Sequence, residues 1–202
     1  MWPSKAREYF RGSRSHTFDG IATFMQGGGL APNTAQFEEL FLPHLDAANN
    51  LARHLTGDEQ EAEDVVQDAY LRAFRHFHMF RGENPRGWIL MIVRRAAYTR
   101  WRQRRQERDA VSFDEEFHSD AAAADGPEEH LARQSAIELV QGALAGLAPM
   151  FREILVLREL EDLSYREISR ITRVPVGTVM SRLSRARERL LAALPPTLLR
   201  RT

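Results

Sequence analysis

The chain has 202 residues, 43% of them apolar and 28% charged, which gives room for one large or two small globular domains. It contains no cysteine, so a disulfide framework, a thiol nucleophile and a cysteine-ligated metal are excluded. No apolar run approaches the roughly 18 residues of a membrane span, and the N-terminus lacks the continuous apolar core of a signal peptide; a cytoplasmic protein without membrane insertion is expected.

The formal net charge of zero conceals segregation. From Glu38 to Asp68 nine acids face one base, from Arg81 to Arg108 nine arginines face two acids, from Asp109 to Glu129 there are eight acids and no Arg or Lys, and from Leu163 onward nine arginines face two acids. Two basic blocks separated by an acidic one point to two nucleic-acid surfaces on one chain.

In chain order, residues 1–32 hold scattered aromatics and then QGGGLAPN, which reads as a flexible extension; the triple glycine lacks the Gly-Lys-Ser/Thr of a phosphate loop. From Asn33 the spacing of Phe37, Leu40, Phe41, Leu45, Ala48, Leu51 and Leu55 predicts helix, kinked at Pro43 and ended by Gly57. Asp58 and Glu61 have capping-box spacing and open a second helix with Ala62, Val65, Ala69 and Phe77 inward and Asp64, Gln67, Asp68 and Leu71 outward. The loop FRGENPRG leads into a long helix from about Arg86 to Arg108, with Trp88 in the core and arginines toward its end.

Residues 109–126 are acidic and alanine-rich and read as a disordered or extended linker. A second helical unit spans 127–196, with one helix to about Leu147 and another from Pro149 to about Glu161, and 197–202 is a tail. The fold class is therefore all-α, two small helical domains at 33–108 and 127–196.

The segment SYREISRITRVPVGTVMSRLSRARERL opens with an S-x-x-E capping box at Ser164, so a short helix starts at Tyr165 and packs through Ile168 and Ile171. Pro175 starts the next helix, on which Val176, Val179, Leu183, Ala186, Leu190 and Leu194 form one apolar stripe directed at the core. Its other side presents Thr178, Met180, Ser181, Arg182, Ser184, Arg185 and Glu188. Small polar residues and arginine suit a recognition helix in a DNA major groove, because a guanidinium can bond two acceptors on a guanine edge.

ALAGLAPMFREILVLRELEDLSYREISRITRVPVGTVMSRLSRARERL resembles the promoter-binding region four of extracytoplasmic-function (ECF) sigma factors of the sigma-70 family. GDEQEAEDVVQDAYLRAFRHF with NPRGWILMIVRRAAYTRWRQ resembles region two of the same group. The resemblance implies that Asp64, Gln67, Asp68 and Leu71 bind the clamp helices of the largest subunit of core RNA polymerase, with region four on the flap of the second largest. It implies that the loop from Phe80 to Gly87, with Arg81, Asn84 and Arg86, and the helix bearing Arg94, Arg95, Arg100, Trp101 and Arg102 capture and melt the minus-ten promoter element. Positive charge with aromatic stacking surfaces is what single-stranded DNA requires. Thr178, Met180, Ser181, Arg182, Ser184 and Arg185 would read the minus-thirty-five element, the acidic linker would thread the polymerase cleft toward the RNA exit path, and an anti-sigma factor is an expected partner.

Three positions depart from the family pattern. Arg95 stands where asparagine is frequent, Met180 where a basic residue is frequent, and Arg173 where a glycine is common in the turn. If that turn keeps a left-handed backbone, Arg173 costs about 1 kcal/mol.

No catalytic residue, metal ligand or cofactor is expected. His76 and His78, two apart, should diverge on a helix, and neither an H-E-x-x-H pattern nor a nucleophile elbow is present. The alternatives are a stand-alone helix-turn-helix regulator that binds duplex DNA without polymerase, and a protein that sequesters polymerase without using promoters.

Overall fold

The computed structural model describes residues 34–82, 84–111 and 138–195, with side chains of the long central helix followed to Arg104. The expectations for the N-terminal extension, for the linker from residue 112 onward, for the start of the second unit and for the C-terminal tail lie outside the described residues. Those described form helices and turns, without a strand: α1 (Thr34–Phe41), a 3-10 turn (Leu42–His44), α2 (Leu45–Thr56), α3 (Glu59–Arg75), a second 3-10 turn (Phe77–Met79) and α4 (Pro85–Val111). After these come α5 (138–145), α6 (Pro149–Leu155) continued by a wider π turn (Val156–Leu160), α7 (Tyr165–Thr172) and α8 (Val176–Ala193).

Each boundary in the first unit has a local cause. Pro43 has no N–H to continue the α ladder, so the chain tightens into a 3-10 turn, and the Phe41 carbonyl is satisfied instead by the Tyr70 hydroxyl, which donates to it at 2.9 Å. Gly57 ends α2 in the left-handed conformation at φ 76°. The Asp58 carboxylate accepts from the Glu61 N–H at 2.7 Å and so caps α3. Asn84 caps α4, accepting from the Gly87 N–H at 2.7 Å.

The core of this unit is aromatic. Phe37 meets Tyr70, Phe74 and Phe77 edge to face, and Phe41 packs on Phe77, Phe80 and Trp88 with centroids 5.2–5.9 Å apart. Such pairs contribute about 0.5–1.5 kcal/mol each beyond burial. They fix the loop between α3 and α4 to the bundle, with Trp88 on the core side as the sequence indicates.

In the second unit α6 and α7 both pack on α8. Ser164 and Glu167 complete a reciprocal capping box at the start of α7. Arg173 ends that helix at φ 59°, so the turn does keep the left-handed backbone and a side chain bears its cost. Val179, Leu183, Ala186 and Leu190 are buried as the periodicity requires.

Four expectations need correction. Val176 is 37% exposed rather than core-facing, because it sits at the first turn of α8, beyond the reach of the helices below. The linker begins later than residue 109, since α4 continues through Val111; extending an existing helix is far easier than nucleating one. The helix after Pro149 widens into a π turn from Val156, where the Glu161 N–H reaches back five residues to the Val156 carbonyl at 3.1 Å. His76 and His78 do not diverge: His76 ends α3 and His78 lies in the 3-10 turn, whose different rotation per residue stacks the rings 6.3 Å apart.

The two units are not separate in space. α2 packs against α6, and α4 against α7. Arg152 joins them at helix ends: its guanidinium donates to the His54 carbonyl in the last turn of α2 at 2.9 Å, to the Leu147 carbonyl at 3.0 Å, and to the Ala145 carbonyl. A cation at two helix C-termini answers both the orphan carbonyls and the negative dipole end.

Candidate nucleic-acid interface and acidic face

The four residues expected on the acidic face lie together on α3, opposite the side that buries Val65, Val66, Ala69 and Tyr70. Asp64 and Gln67 are exposed, and Asp68 and Leu71 half-buried. Asp68 pairs with Arg72 one turn on at 2.7 Å, and Asp64 receives Arg100 from α4 at 3.2 Å. Both pairs are exposed, so each holds at most about 1 kcal/mol and the carboxylates remain open to another cation.

Glu61, one turn earlier, differs. It is nearly buried, its pKa is raised by desolvation, and Arg104 at 2.8 Å supplies the compensating charge. Thus α4 crosses α3 through an acid-base seam whose outer members are exchangeable and whose inner member is structural.

Among the residues expected to meet a minus-ten strand, Arg81, Arg95, Arg100, Trp101 and Arg102 are exposed. Desolvation, followed by the charges of Arg173 and Arg94, lowers the Arg95 pKa, without discharging a guanidinium. The three others face the second unit. Asn84 donates to Glu167 at 3.2 Å, Arg86 to Glu161 at 2.5 Å, and Arg94 grips Glu153 through two hydrogen bonds at 2.8 and 3.2 Å. Arg94 also lies 4.7 Å over the Tyr98 ring, and desolvation with the Glu153 charge raises the Tyr98 pKa well above its ordinary value. Between the Phe80 loop and α7 is a cleft of about 340 Å³, whose lining includes Phe80, Asn84, Trp88, Met91, Glu167 and Ile171.

On α8, Met180, Ser181, Ser184 and Arg185 are exposed and Thr178 and Arg182 half-buried. Ser181 donates to the Thr178 carbonyl at 3.1 Å and Ser184 to Glu188 at 3.1 Å. Those hydroxyl bonds lie within the helix, so the serines leave the face flat enough for a groove while Met180 and Arg185 project from it. Arg187, on the flank, is taken up by Glu159 at 2.5 Å and is structural.

Sequence reasoning missed Glu153, Glu159 and Glu161, which are among the buried charged residues. A signal was present: they flank ILVL, an apolar run with no polar face, in a helix that must be enclosed on all sides. An acid in such a helix requires a partner. The described residues contain no cluster of His, Cys, Asp and Glu able to hold a metal ion, and none of their helices is long and apolar enough to cross a membrane.

Compared with known proteins, residues 40–107 match the family described as Sigma-70 region 2, and residues 137–190 match Sigma-70, region 4. The chain is similar to the RNA polymerase sigma-H factor of Pseudomonas aeruginosa, with 36% identity over 80% of this chain and 88% of that protein. It is also similar to the ECF RNA polymerase sigma factor SigE of Mycolicibacterium smegmatis, with 33% identity over 85% of this chain and 66% of the relative's length. Among solved structures, the sigma factor RpoE in complex with the anti-sigma factor NepR from Bartonella quintana superposes with a TM-score of 0.62 at 29% identity, covering 78% of this chain and 96% of that one.

Proposed function

The chain belongs to the ECF sigma factors of the sigma-70 family, and on that premise we propose that it joins core RNA polymerase in the cytoplasm, directs it to promoters and helps melt them, with no catalytic residue of its own. The polymerase supplies the chemistry. The observation that carries this is the presence, on one chain and in order, of an exposed acidic row on α3, an arginine-rich α4 and a helix-turn-helix ending in α8.

The roles divide as follows. Asp64, Gln67, Asp68 and Leu71 meet the basic clamp surface of the largest subunit. Arg81, Asn84, Arg86, Arg94, Arg95, Arg100, Trp101 and Arg102 hold the backbone and bases of the separated minus-ten strand. Phosphate neutralisation supplies affinity there, and stacking on Trp101 tolerates base identity. Thr178, Met180, Ser181, Arg182, Ser184 and Arg185 lie in the major groove of the minus-thirty-five element, where Arg185 reads a guanine edge. The NepR-bound relative supports an anti-sigma factor as a further partner.

A stand-alone helix-turn-helix regulator has no use for a matched region two, which counts against it. The test is reconstituted transcription: core polymerase with this protein on fragmented genomic DNA should give discrete transcripts that polymerase alone does not. Duplex binding without recruitment of polymerase would favour the regulator instead.

A further inference from the structure

Four apolar side chains, Met79, Phe80, Trp88 and Met91, line the cleft between the Phe80 loop and α7 without filling it. Met79 is 61% exposed, and the other three are only partly buried although they pack on the core. Covering such apolar surface is favourable. The volume of about 340 Å³ lies at the low end of the roughly 300–1,000 Å³ typical of small-molecule sites, so it suits a small organic molecule rather than a helix or an extended peptide.

The charges select among small molecules. Arg81, Glu167 and Arg170 also line the cleft. Glu167 is already engaged: it accepts from the Ser164 N–H at 2.8 Å, from the Ser164 hydroxyl at 2.7 Å and from Asn84 at 3.2 Å. These bonds, those from Ser164 foremost, hold its carboxyl below the ordinary range, so it stays ionised. Arg81 and Arg170 are exposed, and among the described residues neither pairs with a carboxylate. Two cations against one carboxylate leave the lining with a net positive charge, which a monoanion balances.

We propose that this cleft is a binding site for an amphipathic monocarboxylate, with its apolar body on Met79, Phe80, Trp88 and Met91 and its carboxylate on Arg170 and Arg81.

Each half of such a ligand has a matching partner. Methionine is soft and adaptable, so Met79 and Met91 suit a flexible chain laid against the rings of Phe80 and Trp88, whose centroids are 5.3 Å apart. A guanidinium presents a fork of donors that matches the two oxygens of a carboxylate and not the single oxygen of an alcohol. Arg170 therefore selects the acid. Binding is read on this protein alone, so the site does not depend on the proposed promoter contacts.

The test uses the full chain. Its three tryptophans are Trp2, Trp88 and Trp101, so Trp2→Phe with Trp101→Phe leaves Trp88 as a reporter inside the cleft. Decanoate, kept below its micelle concentration, should change Trp88 fluorescence saturably, and calorimetry should return the same affinity. Decanol, with the same chain and no charge, should bind about tenfold more weakly. Arg170→Gln should weaken decanoate by about tenfold and leave decanol unchanged, while Arg170→Lys, which keeps the charge, should recover part of the loss. Circular dichroism of both variants should match the parent, because Arg170 is exposed. The control Arg75→Gln removes the same charge from the last turn of α3 and should bind decanoate as the parent does. Adenosine monophosphate stands in for a nucleotide of a promoter strand and should give no response that depends on Arg170. The absence of a saturable response in both measurements, equal decanoate affinity in Arg170→Gln and the parent, or an Arg170-dependent response to adenosine monophosphate as strong as that to decanoate overturns the proposal. Recruitment of core polymerase is scored separately and bears on the proposed function alone.

Discussion

Arg100 of α4 donates to Asp64 of α3 across 3.2 Å, with both side chains about half exposed. One turn along, Arg104 serves Glu61, which is 6% exposed. The same pairing chemistry therefore carries different weight at the two ends of one seam. Arg100→Ala should change stability by no more than about 0.5 kcal/mol. Arg104→Ala leaves a desolvated carboxylate without its cation and should cost about 1–2 kcal/mol, discounted because Arg104 itself is half exposed. Urea unfolding of the two variants checks the order; equal losses would mean that Glu61 is hydrated in solution.

Arg173 carries a left-handed backbone that glycine adopts freely. Arg173→Gly should stabilise the protein by about 0.5–1 kcal/mol, while Arg173→Val should destabilise it by at least as much. The urea midpoints of the two variants should fall on opposite sides of the parent's.

Met180 projects from α8 at 53% exposure, on the side that would enter a groove. An apolar side chain placed in a major groove can contact a thymine methyl group, which gives the proposed role of Met180 a test. Replacing each thymine of a selected duplex by deoxyuridine should weaken binding at one position for the parent and at none for Met180→Ala. Arg185→Ala should relax preference at a different base pair, by about 1–3 kcal/mol. A Met180→Ala protein that remains sensitive to the missing methyl would remove this assignment.

His54 is enclosed at the boundary between units, with its Nδ1 at 2.7 Å from the Asn50 carbonyl oxygen and the charges of Arg53 and Arg152 nearby. Burial pulls its pKa below the ordinary value, the Asn50 bond opposes this, and the two arginines add to it. A folded-state pKa below that of the unfolded chain means that the unfolded chain takes up the proton first. The associated stability is thus full above about pH 6.5 and is lost as pH falls through that value toward the folded pKa. His54→Gln, which keeps a donor for Asn50, should flatten unfolding free energy measured between about pH 7 and about pH 5.5. An unchanged slope would assign the loss to carboxylates instead.

Much of the fold is legible in the sequence because its determinants are local. Gly57, Asp58, Pro149 and the Ser164–Glu167 box each act within one turn, and the apolar spacings then place Val65, Ala69, Leu183 and Leu190 inward. The acidic row on α3 follows from the same periodicity. The seam between units is less legible, because Glu153 and Glu161 meet partners 59 and 75 residues away, and an isolated acidic residue looks the same whether solvated or paired. The stacking of His76 on His78 was hidden for a related reason: the change from α to 3-10 rotation occurs between them.

Asp64 and Asp68 of α3 are proposed as a polymerase contact and not merely a solvated face. Asp64→Arg with Asp68→Arg touches no buried residue, although it sets like charges beside Arg100 and Arg72, so circular dichroism should remain that of the parent. Like charges across a protein interface cost several kcal/mol, so affinity for core RNA polymerase, measured by competition with a labelled parent protein, should fall by about two orders of magnitude or more. Duplex binding through α8 should not change. A folded double variant that binds core polymerase with parental affinity would mean that these acids are only a solvated face.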